Sequence, residues 1–136
     1  MGFFGTFVYS SDAGWSDSPS GDVWLRIDIH DSDVATVDYR PRASGLGRFY
    51  LGFDPCDYFG DPTAGGPVDR DAEATAFVEW ATLAVGATIT KEAVLPLLAE
   101  AGATEPTDDF VEETTRRLIR LLNLPLPQDL QDGADL

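Results

Sequence analysis

The densest group of side chains that could do chemistry lies in the run Asp28-Ile29-His30-Asp31-Ser32-Asp33. An imidazole between carboxylates could act as a general base, with Asp28 or Asp31 orienting the ring of His30. Carboxylates gathered on one turn could also bind a hard cation such as Ca²⁺ or Mg²⁺ through their oxygens. One hypothesis is therefore a small hydrolase or metal-assisted enzyme that uses His30 with Asp28 and Asp31.

Several features of the sequence weigh against catalysis. The run lacks the glycine and the distal glutamate that an EF-hand loop requires. The chain has one histidine and one cysteine, Cys56, which cannot complete a tetrahedral zinc site without several carboxylates. No serine lies in a Gly-x-Ser-x-Gly elbow, and no sequence pattern places the Cys56 thiol near His30. We therefore predict a solvated, aspartate-rich turn with no catalytic residue, no metal ligand and no cofactor.

The Asp28–Asp33 segment lies on a predicted β-hairpin. Apolar and polar residues alternate strictly over residues 23–30, which predicts a strand with one apolar face. Residues 31–33 favour a turn, and residues 34–40 form the second strand of the hairpin. Residues 3–10 and 48–53 are predicted to be further strands of the same antiparallel sheet.

The carboxylates divide the chain into a strand-rich half and a helix-rich half. All eleven up to and including Asp69 are aspartates, whereas seven of the thirteen from Arg70 onward are glutamates, which favour helices. Apolar residues at helical spacing predict helices over residues 69–86, 90–101 and 108–122. Strands followed by helices are typical of the α+β class.

The sequence therefore predicts an α+β fold in which a three- to four-stranded antiparallel sheet, formed by the N-terminal half, packs on two to three C-terminal helices. Residues 1–124 are expected to form a single α+β domain, since a chain of 136 residues can bury a core of its own. Residues 125–136 are predicted to be an acidic flexible tail.

The net charge of −15 and the pI near 4.1 restrict the classes of partner. An acidic surface disfavours nucleic acid and anionic membranes, because both need positive charge on the protein, and it favours a basic protein partner. No apolar run approaches the roughly 20 residues of a membrane-spanning helix. The single cysteine fits a reducing compartment. We expect a cytoplasmic protein that binds neither nucleic acid nor membrane.

The polar face of the sheet is the predicted binding surface. It would present an aromatic ring, two guanidinium groups, a carboxylate and an imidazole beside an acidic turn. The candidate binding residues are Trp24, Arg26, Asp28, His30, Asp31, Asp33, Arg48 and Tyr50. A further tryptophan, Trp15, lies in a polar loop over residues 11–21 and is expected to fold back over the core. The alternative is an ordinary solvent-facing sheet surface with cross-strand pairs.

Four segments of the chain, MGFFGTF, IHDSD, DYRP and YLGFDP, resemble small acidic proteins of high-GC bacteria, some of which serve as immunity proteins for polymorphic toxins. The resemblance covers the first two-fifths of the chain. It implies a cytoplasmic protein that acts by binding another protein, with no catalysis of its own. An acidic surface with aromatic anchors could occlude a basic active site in this way. A third hypothesis is a homo-oligomer, such as a homodimer, whose exposed aromatic residues bury one another.

Overall fold

The computed structural model describes residues 2–42, 45–61, 68–99, 108 and 110–131. Its strands form one antiparallel sheet in the order β2-β1-β3-β4-β5, which confirms the predicted α+β class. The five strands are β1 (Gly5–Ser10), β2 (Gly14–Ser16), β3 (Trp24–His30), β4 (Val34–Arg40) and β5 (Arg48–Gly52). The expected count of three to four strands was too low, because β2 lies within the segment predicted to be a loop.

The strand β2 is short and depends on a contact far along the chain. Gly14 adopts a φ of 73°, which reverses the backbone so that Trp15 pairs with Tyr9 on β1. The two rings meet edge to face, with centroids 5.3 Å apart. The indole Nε1 of Trp15 donates to the carbonyl oxygen of Pro125 at 2.7 Å. Trp15 therefore folds back against the core, as expected from its type, but it does so from a strand.

The α-helices among the described residues are α1 (Pro55–Phe59), α2 (Arg70–Val85), α3 (Lys91–Val94) and α4 (Val111–Leu121). The last three are the predicted C-terminal helices, and α1 lies in a stretch without a predicted element. The side chain of Asp69 caps α2 by accepting from the amide of Ala72, and Gly86 ends that helix at a φ of 67°. No helix within the described residues is long and apolar enough to cross a membrane.

The core lies between the apolar face of the sheet and the helices. Alternate residues of β3 are buried, and Leu25 and Ile27 are fully so. They pack in one cluster with Phe77 and Trp80 from α2 and with the buried face of α4. Burial of this continuous apolar surface is the main favourable term for the fold.

The packed domain extends beyond the predicted boundary at residue 124. Leu130 is completely buried, and its carbonyl oxygen accepts from Nε of Arg116 at 2.8 Å. The segment from 125 to 131 is therefore anchored to α4 and to Trp15, which corrects the prediction of a flexible tail for these residues. The physical reason is that its leucines find apolar cover on the folded domain, which the acidic composition of the segment does not reveal. Residues 132–136 of the predicted tail lie outside the described residues.

A buried carboxylate ties the loop between β4 and β5 to α2. The hydroxyl of Tyr39 donates to Oε2 of Glu73 at 2.5 Å, and the amide of Leu46 donates to Oε1 at 2.5 Å. Glu73 is 2% exposed, so these donors replace the water that the carboxylate would otherwise bind. Burial, reinforced by the hydrogen bond to Glu73, raises the pKa of Tyr39 well above its usual value.

The raised pKa of Tyr39 predicts a loss of stability in alkaline solution. Above about pH 10 the unfolded chain releases the tyrosine proton while the folded chain keeps it, so the unfolding free energy falls as pH rises. We compare the wild type with a Tyr39→Phe variant, which lacks the ionising hydroxyl. The unfolding free energy of the wild type minus that of the variant should decrease by about 1 kcal/mol between pH 10 and pH 11. Urea denaturation of both proteins across this range measures it. A constant difference would mean that Tyr39 ionises equally in both states.

Candidate functional site

The strand register places the predicted binding residues at two opposite ends of the polar face of the sheet. Trp24 lies opposite Arg40, and Arg26 lies opposite Asp38. Towards the other end of the same strand, Asp28 is followed by His30 at the turn into β4. Side chains of Trp24, Arg26, Asp28 and His30 share the face opposite the core, since Leu25, Ile27 and Ile29 between them are buried. The face thus has a basic end and an acidic end.

At the basic end, most of the charged groups are already paired. The guanidinium of Arg40 lies over the ring of Trp24, 5.4 Å from its centroid. Nε of Arg48 donates to the buried carboxylate of Asp38 at 2.7 Å, and this hydrogen bond raises the pKa of Arg48. The side chain of Arg26 is exposed and forms no hydrogen bond or ion pair with the described part of the chain.

Tyr50 is not an accessible binding residue. It is 6% exposed, although the register places it in the row of Thr36 and Asp28 on the polar face. The expectation that it contributes an exposed ring is therefore corrected. Alternation along a strand gives the direction of a side chain, but it does not reveal what packs over it. The backbone beside it is also covered, because the amide of Ala99 donates to the Tyr50 carbonyl at 2.7 Å.

At the acidic end, the turn between β3 and β4 has an unusual backbone. Asp31 and Ser32 adopt φ values of 52° and 60°, which are uncommon for residues other than glycine. Neighbouring groups hold this conformation. The amide of Gly2 donates to Oδ1 of Asp31 at 2.8 Å, and the amide of Phe3 donates to Oγ of Ser32 at 2.7 Å. The amide of Val111 donates to the Ser32 carbonyl at 2.8 Å, so the turn fastens both the N-terminus and the start of α4.

The aspartates of this end serve local structure. Oδ1 of Asp28 accepts from the hydroxyl of Thr6 at 2.8 Å. Oδ2 of Asp33 accepts from the hydroxyl of Tyr58 at 2.9 Å, and this hydrogen bond raises the pKa of Tyr58. Neither of these bonds, nor the one from the amide of Gly2 to Asp31, involves His30, and no hydrogen bond joins its imidazole to a carboxylate among the described residues. The described part of the chain also contains no group of three or more His, Cys, Asp or Glu side chains that could hold a metal ion.

Three aromatic rings pack against His30, which remains exposed. Its imidazole meets Phe4, Phe59 and Tyr58 edge to face, with centroids 5.0, 5.2 and 6.1 Å away. Tyr58 and Phe59 also pack against each other at 4.9 Å. We call these four residues the His30 cluster. Phe4 and Phe59 are 57% and 49% exposed, so the cluster presents two large apolar rings to solvent.

The helix α1 carries half of the cluster. Oδ1 of Asp54 accepts from the amide of Cys56 at 2.9 Å, which caps the first turn of α1 ahead of Tyr58 and Phe59. An aspartate followed by proline is a helix-start pattern, so Asp54-Pro55 could have predicted this helix. The position of Phe4 was harder to predict. Adjacent phenylalanines on a strand point to opposite faces, and the sequence left open which of Phe3 and Phe4 faces the core.

A third exposed aromatic residue lies at the same end of the molecule. Phe110 is 56% exposed and precedes Val111, whose amide is bonded to Ser32 in the acidic turn. The exposed rings of Phe4, Phe59 and Phe110 thus accompany the carboxylates of the β3–β4 turn. We call this surface, which consists of the His30 cluster, Phe110, Asp31 and Asp33, the aromatic–acidic end.

Comparison with known proteins found no match to the chain. No protein-family model matches it. Neither a curated protein nor a solved structure matches it.

Proposed function

We propose that the protein is a protein-binding module of the immunity or inhibitor type, which captures a basic surface of its partner through the aromatic–acidic end. The observation that carries the proposal is the exposure of Phe4 and Phe59, which both pack against His30 beside the carboxylates of the turn. A few residues supply most of the binding energy in protein interfaces, and aromatic residues, including phenylalanine, are enriched there. The net charge of −15 would speed encounter with a basic partner and would select against acidic ones.

The contacts at the acidic end support binding over catalysis. The enzyme hypothesis pairs His30 with Asp28 and Asp31. These carboxylates accept instead from the hydroxyl of Thr6 and the amide of Gly2, and neither is hydrogen-bonded to the imidazole among the described residues. The homo-oligomer hypothesis would bury the same exposed rings. However, it would bring two chains of charge −15 together, which long-range repulsion opposes.

A pair of surface variants tests the proposed function. We expect the double change Phe4→Ser and Phe59→Ser to reduce recovery of the bound partner at least about tenfold, because it removes two apolar anchors. The immobilised protein would be incubated with cytosol of the source organism, and retained proteins would be quantified by mass spectrometry. Raising the salt concentration should also release the partner, since charge attraction is screened.

The matched control is Leu83→Ser. Leu83 is 70% exposed and lies on α2, on the other side of the sheet from the His30 cluster. It is expected to retain the partner at the wild-type level. Equal recovery by the double variant and the control would rule out the aromatic–acidic end as the binding surface. Thermal unfolding of each variant checks that both remain folded.

A further inference from the structure

The outer edge of β1 is only partly covered by β2. Their pairing runs from Val8 to Ser10, whereas β1 continues along β3 back to Gly5. Over Gly5, Thr6 and Phe7, β1 pairs with β3 on one side, and no strand of the described chain pairs with it on the other side. This leaves a step at the edge of the sheet, directly beside the His30 cluster.

Neighbouring hydrogen bonds show which backbone groups face outward from this step. Phe3 accepts from the amide of Ser32, and the amide of Ser11 donates to Val23, so odd-numbered residues of β1 face β3. The carbonyl of Ser10 accepts from Ala13 on the opposite side. The amide and carbonyl of one strand residue point to the same side, and those of the next residue point to the opposite side. The amide and carbonyl groups of Phe4 and Thr6 therefore point away from β3, to solvent. Within the described ranges, β2 pairs only with Val8, Tyr9 and Ser10, and no turn or loop hydrogen bond reaches the outward groups of Phe4 and Thr6.

The exposed edge lacks the features that usually protect one. Natural edge strands carry lysine, proline or bulges that prevent another strand from pairing. Residues 2–7 read Gly-Phe-Phe-Gly-Thr-Phe, with no charge and no proline. Phe4 and Thr6 are both exposed. An extended chain can therefore reach the unpaired amide and carbonyl groups.

We propose that an extended segment of the partner that bears lysine or arginine adds to β1 as a sixth strand, paired with Phe4 and Thr6. This inference rests on the binding function proposed above. Backbone hydrogen bonds would supply affinity, and alternate side chains would supply specificity.

The negative charge beside the open edge of β1 favours a basic segment as the added strand. Asp28 lies beside Thr6 on the polar face, and Asp31 is bonded to the amide of Gly2 at the end of the edge. Strands are spaced about 4.8 Å apart, so an added strand would lie about 10 Å from β3, a distance that an extended basic side chain covers. A second copy of this chain would instead bring a second net charge of −15 to the same edge, and this repulsion makes it the less favourable occupant.

A synthetic peptide tests strand addition directly. The probe is an end-blocked peptide of about seven alternating lysine and threonine residues, the length of one strand. Added to the isotope-labelled protein, it should shift the amide resonances of Phe4 and Thr6 and slow their exchange with solvent. The same peptide with methylated backbone nitrogens keeps its charge but lacks the donors, and it should bind at least about tenfold more weakly. Equal binding of both peptides would overturn the proposal in favour of attraction by charge alone.

The matched variants are Thr6→Pro and Thr6→Val. Proline removes the outward amide of Thr6 and leaves the β3-side bonds of Gly5 and Phe7 in place, so peptide binding should fall at least about tenfold. Valine keeps the amide and should bind within about twofold of the wild type. A wild-type dimer that Thr6→Pro dissociates would overturn the proposal in favour of a second copy. Unchanged peptide binding by Thr6→Pro, with partner capture still lost in the phenylalanine double variant, would overturn strand addition and leave the proposed function standing.

Discussion

Replacing Trp80 with alanine is expected to lower the free energy of unfolding by about 4 kcal/mol. Trp80 is 1% exposed and stacks on Phe77 with ring centroids 5.5 Å apart. Its Nε1 also donates to the carbonyl oxygen of Arg40 at 2.9 Å. The change therefore opens a cavity between α2 and the sheet and leaves a half-buried carbonyl without its donor.

The control for this variant lies on the same helix. Leu83 is 70% exposed, so Leu83→Ala should change the unfolding free energy by no more than about 0.5 kcal/mol. Urea denaturation followed by circular dichroism measures both. A loss below about 1 kcal/mol in Trp80→Ala would contradict the position of Trp80 in the core. A domain of this size has only about 5–15 kcal/mol of stability, so the variant should also melt at a clearly lower temperature.

Replacing Gly52 with alanine is expected to destabilise the protein by about 3 kcal/mol. Gly52 has a φ of 77°, a conformation that costs a residue with a Cβ about 1–2 kcal/mol. A Cβ here would also overlap the carbonyl oxygen of Asp33 and approach Cγ2 of Val111 to 3.0 Å. That carbonyl accepts from the amide of Phe53 at 3.0 Å, so it cannot move away without breaking a hydrogen bond.

A second glycine separates the two contributions. Gly86 has a similar φ of 67°, but a Cβ there would meet nothing within 4 Å. Gly86→Ala should therefore cost only the backbone preference, about 1 kcal/mol. The difference between the two variants, measured by urea denaturation, reports the steric overlap at Gly52. Equal losses of unfolding free energy in the two variants would show that the Asp33 backbone moves away from the added Cβ without an energetic cost.

The Gly52 variant also bears on the proposed binding surface. The close approach of Gly52 to Asp33 and Val111 lets β5, the β3–β4 turn and the start of α4 meet at one point. Phe110 and the turn carboxylates project from that junction. A Gly52→Ala protein that remains folded should therefore capture the partner less well than Gly86→Ala does.

The elements with strong local signals were predictable from the sequence alone. Strict alternation over residues 23–30 determined which side chains of β3 enter the core, and the structure buries Leu25, Ile27 and Ile29 accordingly. Asp69 and Gly86 determined the ends of α2, because a side-chain cap and a left-handed glycine act on their own backbone. The α+β order followed from composition, because aspartate favours turns and glutamate favours helices.

Only the tertiary structure decided the strand β2, the burial of Tyr50 and the packing of residues 125–131. It also decided the His30 cluster, in which Phe4 from the edge of the sheet and Phe59 from α1 meet one imidazole. Each of these depends on a partner distant in the chain, as when the indole of Trp15 reaches Pro125. A periodic pattern gives the direction of a side chain relative to its own strand or helix. It carries no information about which other segment will cover that side chain, and for this protein that covering decides which residues are free to bind.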